Sequence, residues 1–232
     1  MLEMLYWNPA FFAASFGIFA IIALYSSLSD IRKRTVNSFT FLPMFFVAAV
    51  YYILLHEYYM AILTSVLALS TFMRTDSYIY LLLPAISFII AVLTGSLSIG
   101  VLVAILFVLL GFRETLFGIG DVKAEVSYLM AFQYLNRPLF LGSVFAVSFL
   151  IYISAFSLLV IIAFYLSALH RGLRFDGIYI AYDEAEYSKN SQKYRIIGSG
   201  DRARMSYRMP FLVPINLAAL FSVLIGLPAF LF

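Results

Sequence analysis

Long apolar runs interrupted by short polar clusters set the pattern of this chain, and each run is judged against the roughly 20 residues a membrane-spanning helix needs. Pro9 to Ser29 is the first, ending at Asp30 and the basic cluster Arg32-Lys33-Arg34. Phe39 to Leu55 is the second, stopped by His56-Glu57. Tyr58 to Met73 is the third and Tyr78 to Thr94 the fourth, with Arg74-Thr75-Asp76 between them. Ile99 to Phe112 follows the turn signal Gly95-Ser96-Leu97-Ser98. Val122 to Tyr134 is the least apolar run, and Leu139 to Leu169 is long enough to span with tilt or to project from a bilayer. After a polar excursion from His170 to Met209, Pro210 to Phe232 closes the pattern.

The pattern predicts an all-α integral membrane protein, a polytopic helical bundle of about eight transmembrane helices with a cytoplasmic loop subdomain. Residues 1–169 form the bundle, 170–209 the excursion and 210–232 a last helix. Within the excursion, Phe175 to Ile180 resembles a short strand before a polar turn, so a small hairpin is expected there. No secretory signal is expected at the start, because Met1-Leu2-Glu3-Met4 lacks a basic segment.

Composition strengthens this picture. The 232 residues are 64% hydrophobic and 12% charged, where a soluble domain is nearer a quarter charged. Cysteine is absent, which removes disulfides and thiolate metal sites. His56 and His170 have no metal-ligand spacing, and neither a metal nor an organic cofactor is implied.

Charge distribution says more than the net +3. Lys and Arg favour the cytoplasmic face. With eight spans and the N-terminus outside, the inner side holds Arg32, Lys33, Arg34, Arg74, Arg113, Lys123 and every basic residue from Arg171 to Arg208. Of the 15 Lys and Arg, only Arg137 falls outside. Removing one hairpin preserves the parity, so six spans is the alternative count. Topology and anionic lipid account for the basic residues, and nucleic acid is not an expected partner.

The same parity brings two carboxylates to one side. Asp30 closes the first run, and Asp121 opens the sixth inside Gly118-Ile119-Gly120-Asp121-Val122-Lys123. Ionisable groups at membrane helices are costly, and function is the default hypothesis for them. Two carboxylates held together titrate as a coupled pair, the arrangement by which aspartic proteases activate water. Asp121, at the positive end of a helix, is expected to be the base, and Asp30, at a negative end, the acid. Gly118 and Gly120 are expected to supply positive φ and close backbone approach. A simple turn and N-cap is the competing reading of Gly-x-Gly-Asp.

Other residues compete or assist. Gly198-Ser199-Gly200-Asp201 repeats the motif in a hydrophilic loop, and Asp201 is an alternative partner for Asp30. Glu125 lies one turn after Asp121 and, with Asp76, is either a receptor for a basic peptide or a solvated or paired acid. Lys123 either steers the field of the site or reaches the interface.

Asp30-Ile31-Arg32, followed by Arg34, Val36 and Asn37, and then Gly118 to Lys123 heading a helix, resemble the two elements of the Gly-x-Gly-Asp membrane aspartic peptidases that process type IV prepilins and archaeal preflagellins. Arg208-Met209-Pro210-Phe211 is similar to the start of that family's last helix. The resemblance implies Asp30 and Asp121 as catalytic, with Gly118, Gly120, Lys123, Asn37 and Arg32 as supporting motif residues. It also implies a pilin-like precursor as protein partner, its basic leader cut at the cytoplasmic face of the cell membrane. The stretch between the aspartates exceeds the family's usual two spans, and an inserted hairpin accounts for it. The cysteine-containing domain of the bifunctional bacterial members is missing, so an archaeal-type peptidase without methyltransferase activity is the match. The alternatives are a presenilin or signal-peptide-peptidase type protease, and a transporter or membrane scaffold that uses the two acids for ion passage or packing. The sequence does not set an oligomeric state.

Overall fold

Within the described residues each apolar run holds a helix, and the first continues through Asp30 and Arg32 to Lys33. The computed structural model describes residues 9–37, 39–73, 75–112, 118–132, 145–176, 179–189, 191–198, 203–207 and 210–225. Its helices are α1 (Pro9–Lys33), α2 (Leu42–Leu54), α3 (Tyr58–Phe72), α4 (Tyr78–Leu93), α5 (Ile99–Leu110), α6 (Ile119–Phe132), α7 (Phe145–His170), α8 (Glu184–Lys189) and α9 (Leu212–Leu224). Local chemistry sets the ends. Ser77 and Ser98 cap α4 and α5, their hydroxyls accepting the Ile79 and Val101 N–H groups. Pro43 sits in the first turn of α2, where its missing N–H costs nothing.

All eight expected runs coincide with helices, but their lengths differ. Among the described residues, α1 and α7 are long and apolar enough to cross a membrane. At 1.5 Å per residue the 26 residues of α7 reach about 39 Å, beyond a hydrocarbon core of about 30 Å. The helices α2, α3, α4, α5 and α9 have between 12 and 16 residues and are shorter than that core. The outer faces of α1, α4 and α7 remain apolar, with Ile21, Leu24, Leu93, Leu158 and Leu166 exposed.

The least apolar run is the centre of the bundle. Every residue of α6 from Val122 to Phe132 is buried, and α2, α3, α5 and α9 pack around it. Burial against helices satisfies a helix that lipid would not accept. The Tyr52 hydroxyl donates to the Met130 carbonyl at 3.1 Å. Phe19 of α1 meets Tyr128 and Phe132 edge-on, with ring centroids 5.0 and 5.5 Å apart. Gly111, at the end of α5, lies tightly against α4 and α6. A Cβ there would be 2.7 Å from the Tyr80 hydroxyl and 2.8 Å from Val122 Cγ2.

The polar excursion holds a sheet larger than the expected hairpin. Strands β1 (Phe175–Asp176), β2 (Tyr179–Ala181), β3 (Tyr194–Ile197) and β4 (Arg204–Tyr207) form one antiparallel sheet in the order β1-β2-β4-β3. The stretch from Phe175 to Ile180, expected as a single strand, instead holds parts of two, with Phe175 of β1 paired antiparallel to Ile180 of β2. The chain is therefore mainly helical with one small sheet. Ile180, Tyr194 and Met205 form the sheet's own core, packed on Phe164 of α7. An Arg171–Glu186 ion pair at 2.8 Å ties the end of α7 to α8, and the Tyr194 hydroxyl donates to the same Glu186 oxygen at 2.7 Å.

Gly111→Ala is expected to destabilise the bundle by about 1–3 kcal/mol through overpacking against Tyr80 and Val122. Thermal unfolding in detergent reads this; an unchanged melting temperature refutes the tight packing.

Candidate active site

Three helix ends meet on one side of the bundle: the last turn of α1 and the first turns of α6 and α9. Asp30 is only 7% exposed there. Its Oδ2 accepts the Leu212 N–H at 3.1 Å. Phe211 gives α9 no side-chain cap, so Asp30 provides one from another helix. Asp121 occupies the first turn of α6, close enough to Asp30 for the two charges to act on each other. Its carboxylate accepts the Gly118 N–H, while the Gly118 carbonyl accepts the Asp121 and Val122 N–H groups at 3.0 and 3.1 Å.

This geometry corrects two expectations. The helix-end asymmetry does not distinguish the acids, because Asp30 turns from the negative end of its own helix to the positive start of α9. Both carboxylates stand at helix N-termini. Of the two properties expected of the glycines, positive φ is not used, since neither Gly118 nor Gly120 has it. Gly118 serves close approach: a Cβ there would lie 3.2 Å from Asp121 Oδ2. Gly120 faces open space, and a Cβ there would meet nothing within 4 Å.

Behind the aspartates a polar seam runs into the bundle. On α1 it comprises Ala23, Ser26, Ser27 and Asp30, and on α6 Asp121, Glu125 and Tyr128, both at helical spacing. Asn216 of α9 joins them. Its Nδ2 lies 3.1 Å from the Ala23 carbonyl, 2.9 Å from Ser26 Oγ and 2.8 Å from Ser27 Oγ. Its Oδ1 accepts the Tyr128 hydroxyl at 2.7 Å. One buried amide thus fixes α1, α6 and α9 relative to one another, one turn below the aspartates.

The remaining candidates separate clearly. Glu125 is fully buried, and neither carboxyl oxygen has a hydrogen-bond partner among the described residues. The solvated reading therefore does not hold for it. Lys123 is 3% exposed, its Nζ 4.3 Å from the centre of the Phe72 ring, so it does not reach the interface. Arg32 is exposed. The exposed Asn37 shapes the turn into α2, its Oδ1 accepting the Phe39 N–H at 2.9 Å. Asp76 is exposed between α3 and α4. Asp201, the alternative partner, lies outside the described residues.

Asn216 and Tyr128 were missed by the sequence reading. A lone Asn in the apolar stretch Leu212–Leu224 is the signal that marks such a position. No family model matches the chain, and no curated protein or solved structure matches it either.

Asn216→Ala removes the hydrogen bonds that join the Tyr128 hydroxyl and two serines to α9 and is expected to cost about 1–3 kcal/mol. Glu125→Leu is expected to act oppositely, raising stability by about 1–3 kcal/mol by removing an unsatisfied buried group. Chemical unfolding in detergent micelles checks both signs.

Proposed function

We propose that the chain is a membrane aspartic endopeptidase that removes the basic leader of prepilin- or preflagellin-like precursors at the cytoplasmic membrane face. The observation that carries this is the meeting of Asp30 and Asp121 at the starts of α9 and α6, within reach of each other's charge. A pair sharing one proton activates water without a covalent intermediate. The charged carboxylate takes a proton from the attacking water while the protonated one donates to the scissile carbonyl oxygen. The resulting gem-diol collapses, the leaving amine takes up a proton, and the pair returns to its starting state.

Eight spans with the N-terminus outside, or six, remain the proposed topology, with α1 and α7 crossing the bilayer in full. In this reading the apolar outer faces meet lipid, and the sheet lies in the cytoplasm beside the aspartates. The contact between Arg34, just after α1, and Tyr207 of β4 supports that common side. Asp76, exposed at the α3–α4 turn, is the proposed acceptor of the basic leader, and Glu125 lies behind Asp121. Glu125, buried and without a hydrogen-bond partner among the described residues, favours a second reading in which the acids pass ions.

Membranes containing the wild type or single variants, incubated with a precursor bearing a short Lys/Arg leader before an apolar helix, separate these readings. Asp30→Ala and Asp121→Ala are each expected to lower cleavage by at least about 100-fold, with Asp201→Ala unchanged. Cleavage that survives loss of Asp121 refutes the dyad, and dependence on Asp201 moves the site to the late loop. In the same assay Gly118→Ala is expected to slow cleavage by displacing the Asp121 carboxylate, whereas Gly120→Ala has room for its methyl group.

A further inference from the structure

Arg34 follows the last residue of α1 with φ of 55°, a left-handed conformation that suits glycine and strains an arginine. Strain of this kind persists only where surrounding contacts hold it. Here they come from both directions. Toward α1, the Arg34 N–H and Nη1 both donate to the Asp30 carbonyl, at 3.1 and 3.2 Å. Toward the sheet, Nη2 donates to the Tyr207 hydroxyl, and the guanidinium carbon lies 5.0 Å from the centre of the Tyr207 ring. Tyr207 is itself fixed, stacked at 3.8 Å on Phe164 of α7 and meeting Tyr194 at 5.6 Å. The guanidinium charge acts on the Asp30 carboxylate, whereas Arg32 and Lys33 beside it on α1 are exposed.

We propose that Arg34 is a positioning residue for the aspartate pair, held by Tyr207 of the sheet so that its guanidinium fixes the place and the charge environment of Asp30. The sheet is then part of the catalytic apparatus, because β4 supplies the group that grips the end of α1. The proposal rests on the peptidase reading for its kinetic consequence, though the grip itself is independent of it.

The test uses the full chain in phosphatidylethanolamine–phosphatidylglycerol vesicles, with a synthetic precursor carrying a Lys/Arg leader before an apolar helix. Arg34→Gly relieves the left-handed strain but removes the grip. Its melting temperature is expected to equal or exceed that of the wild type, while kcat falls about tenfold to a hundredfold at unchanged KM. Tyr207→Phe keeps both ring contacts and loses the hydroxyl, and a severalfold fall in kcat with the fold intact is expected. Arg34→Lys restores the charge without the planar fork and falls between Arg34→Gly and the wild type. Lys33→Ala serves as an unaffected control.

Wild-type kcat in both Arg34→Gly and Tyr207→Phe overturns the proposal, provided Asp30→Ala is inactive in the same vesicles. If Arg34→Gly loses its fold, Tyr207→Phe alone decides. A wild type that cuts nothing refutes the peptidase reading instead, and hydrogen exchange then decides the clamp. Tyr207→Ala must speed exchange at the Arg34 amide, and an unchanged rate overturns the grip as well.

Discussion

A helix carrying Asp121, Lys123 and Glu125 cannot lie against lipid, and this constraint organises the rest of the molecule. Burying a charge without compensation costs more than any single packing contact returns. The solution is enclosure. Helices α2, α3, α5 and α9 cover α6, while the outer faces of α1, α4 and α7 keep exposed apolar side chains. The covering helices have apolar stretches short of a full bilayer crossing, whereas α1 and α7 have the length to cross it.

Enclosure alone would not fix the helices relative to one another, and the seam between α1, α6 and α9 does so through Asn216 and the Tyr128 hydroxyl. Asn216 satisfies the Tyr128 hydroxyl and the serines of α1, and Asp30 satisfies the first turn of α9. A buried hydrogen-bond network of this kind rigidifies because each partner is expensive to leave unpaired. Glu125 is the exception within it. Its carboxyl group is buried with no hydrogen bond among the described residues.

Helix positions were legible in the sequence because apolar runs and polar stops are local signals. That Asp30 and Asp121 can meet was expected from the even number of runs between them, and their charges do act on each other. Less of the site's interior could be read. The roles of Gly118 and Gly120 depend on what stands opposite each Cα, a property no spacing encodes. The sheet was legible only as a short strand and an expected hairpin, because β3 and β4 have four residues each, too short a window to separate from a loop.

The sequence by itself determined which segments are helical and that two carboxylates at helix ends were candidates to meet. Local backbone preference and charge asymmetry suffice for those conclusions. Only the tertiary structure decided that the least apolar helix is central, that Asp30 caps a helix other than its own, and that Arg34 is gripped by Tyr207. Each of these pairs residues far apart in the chain, and their partners are set by packing between helices rather than by anything adjacent in sequence.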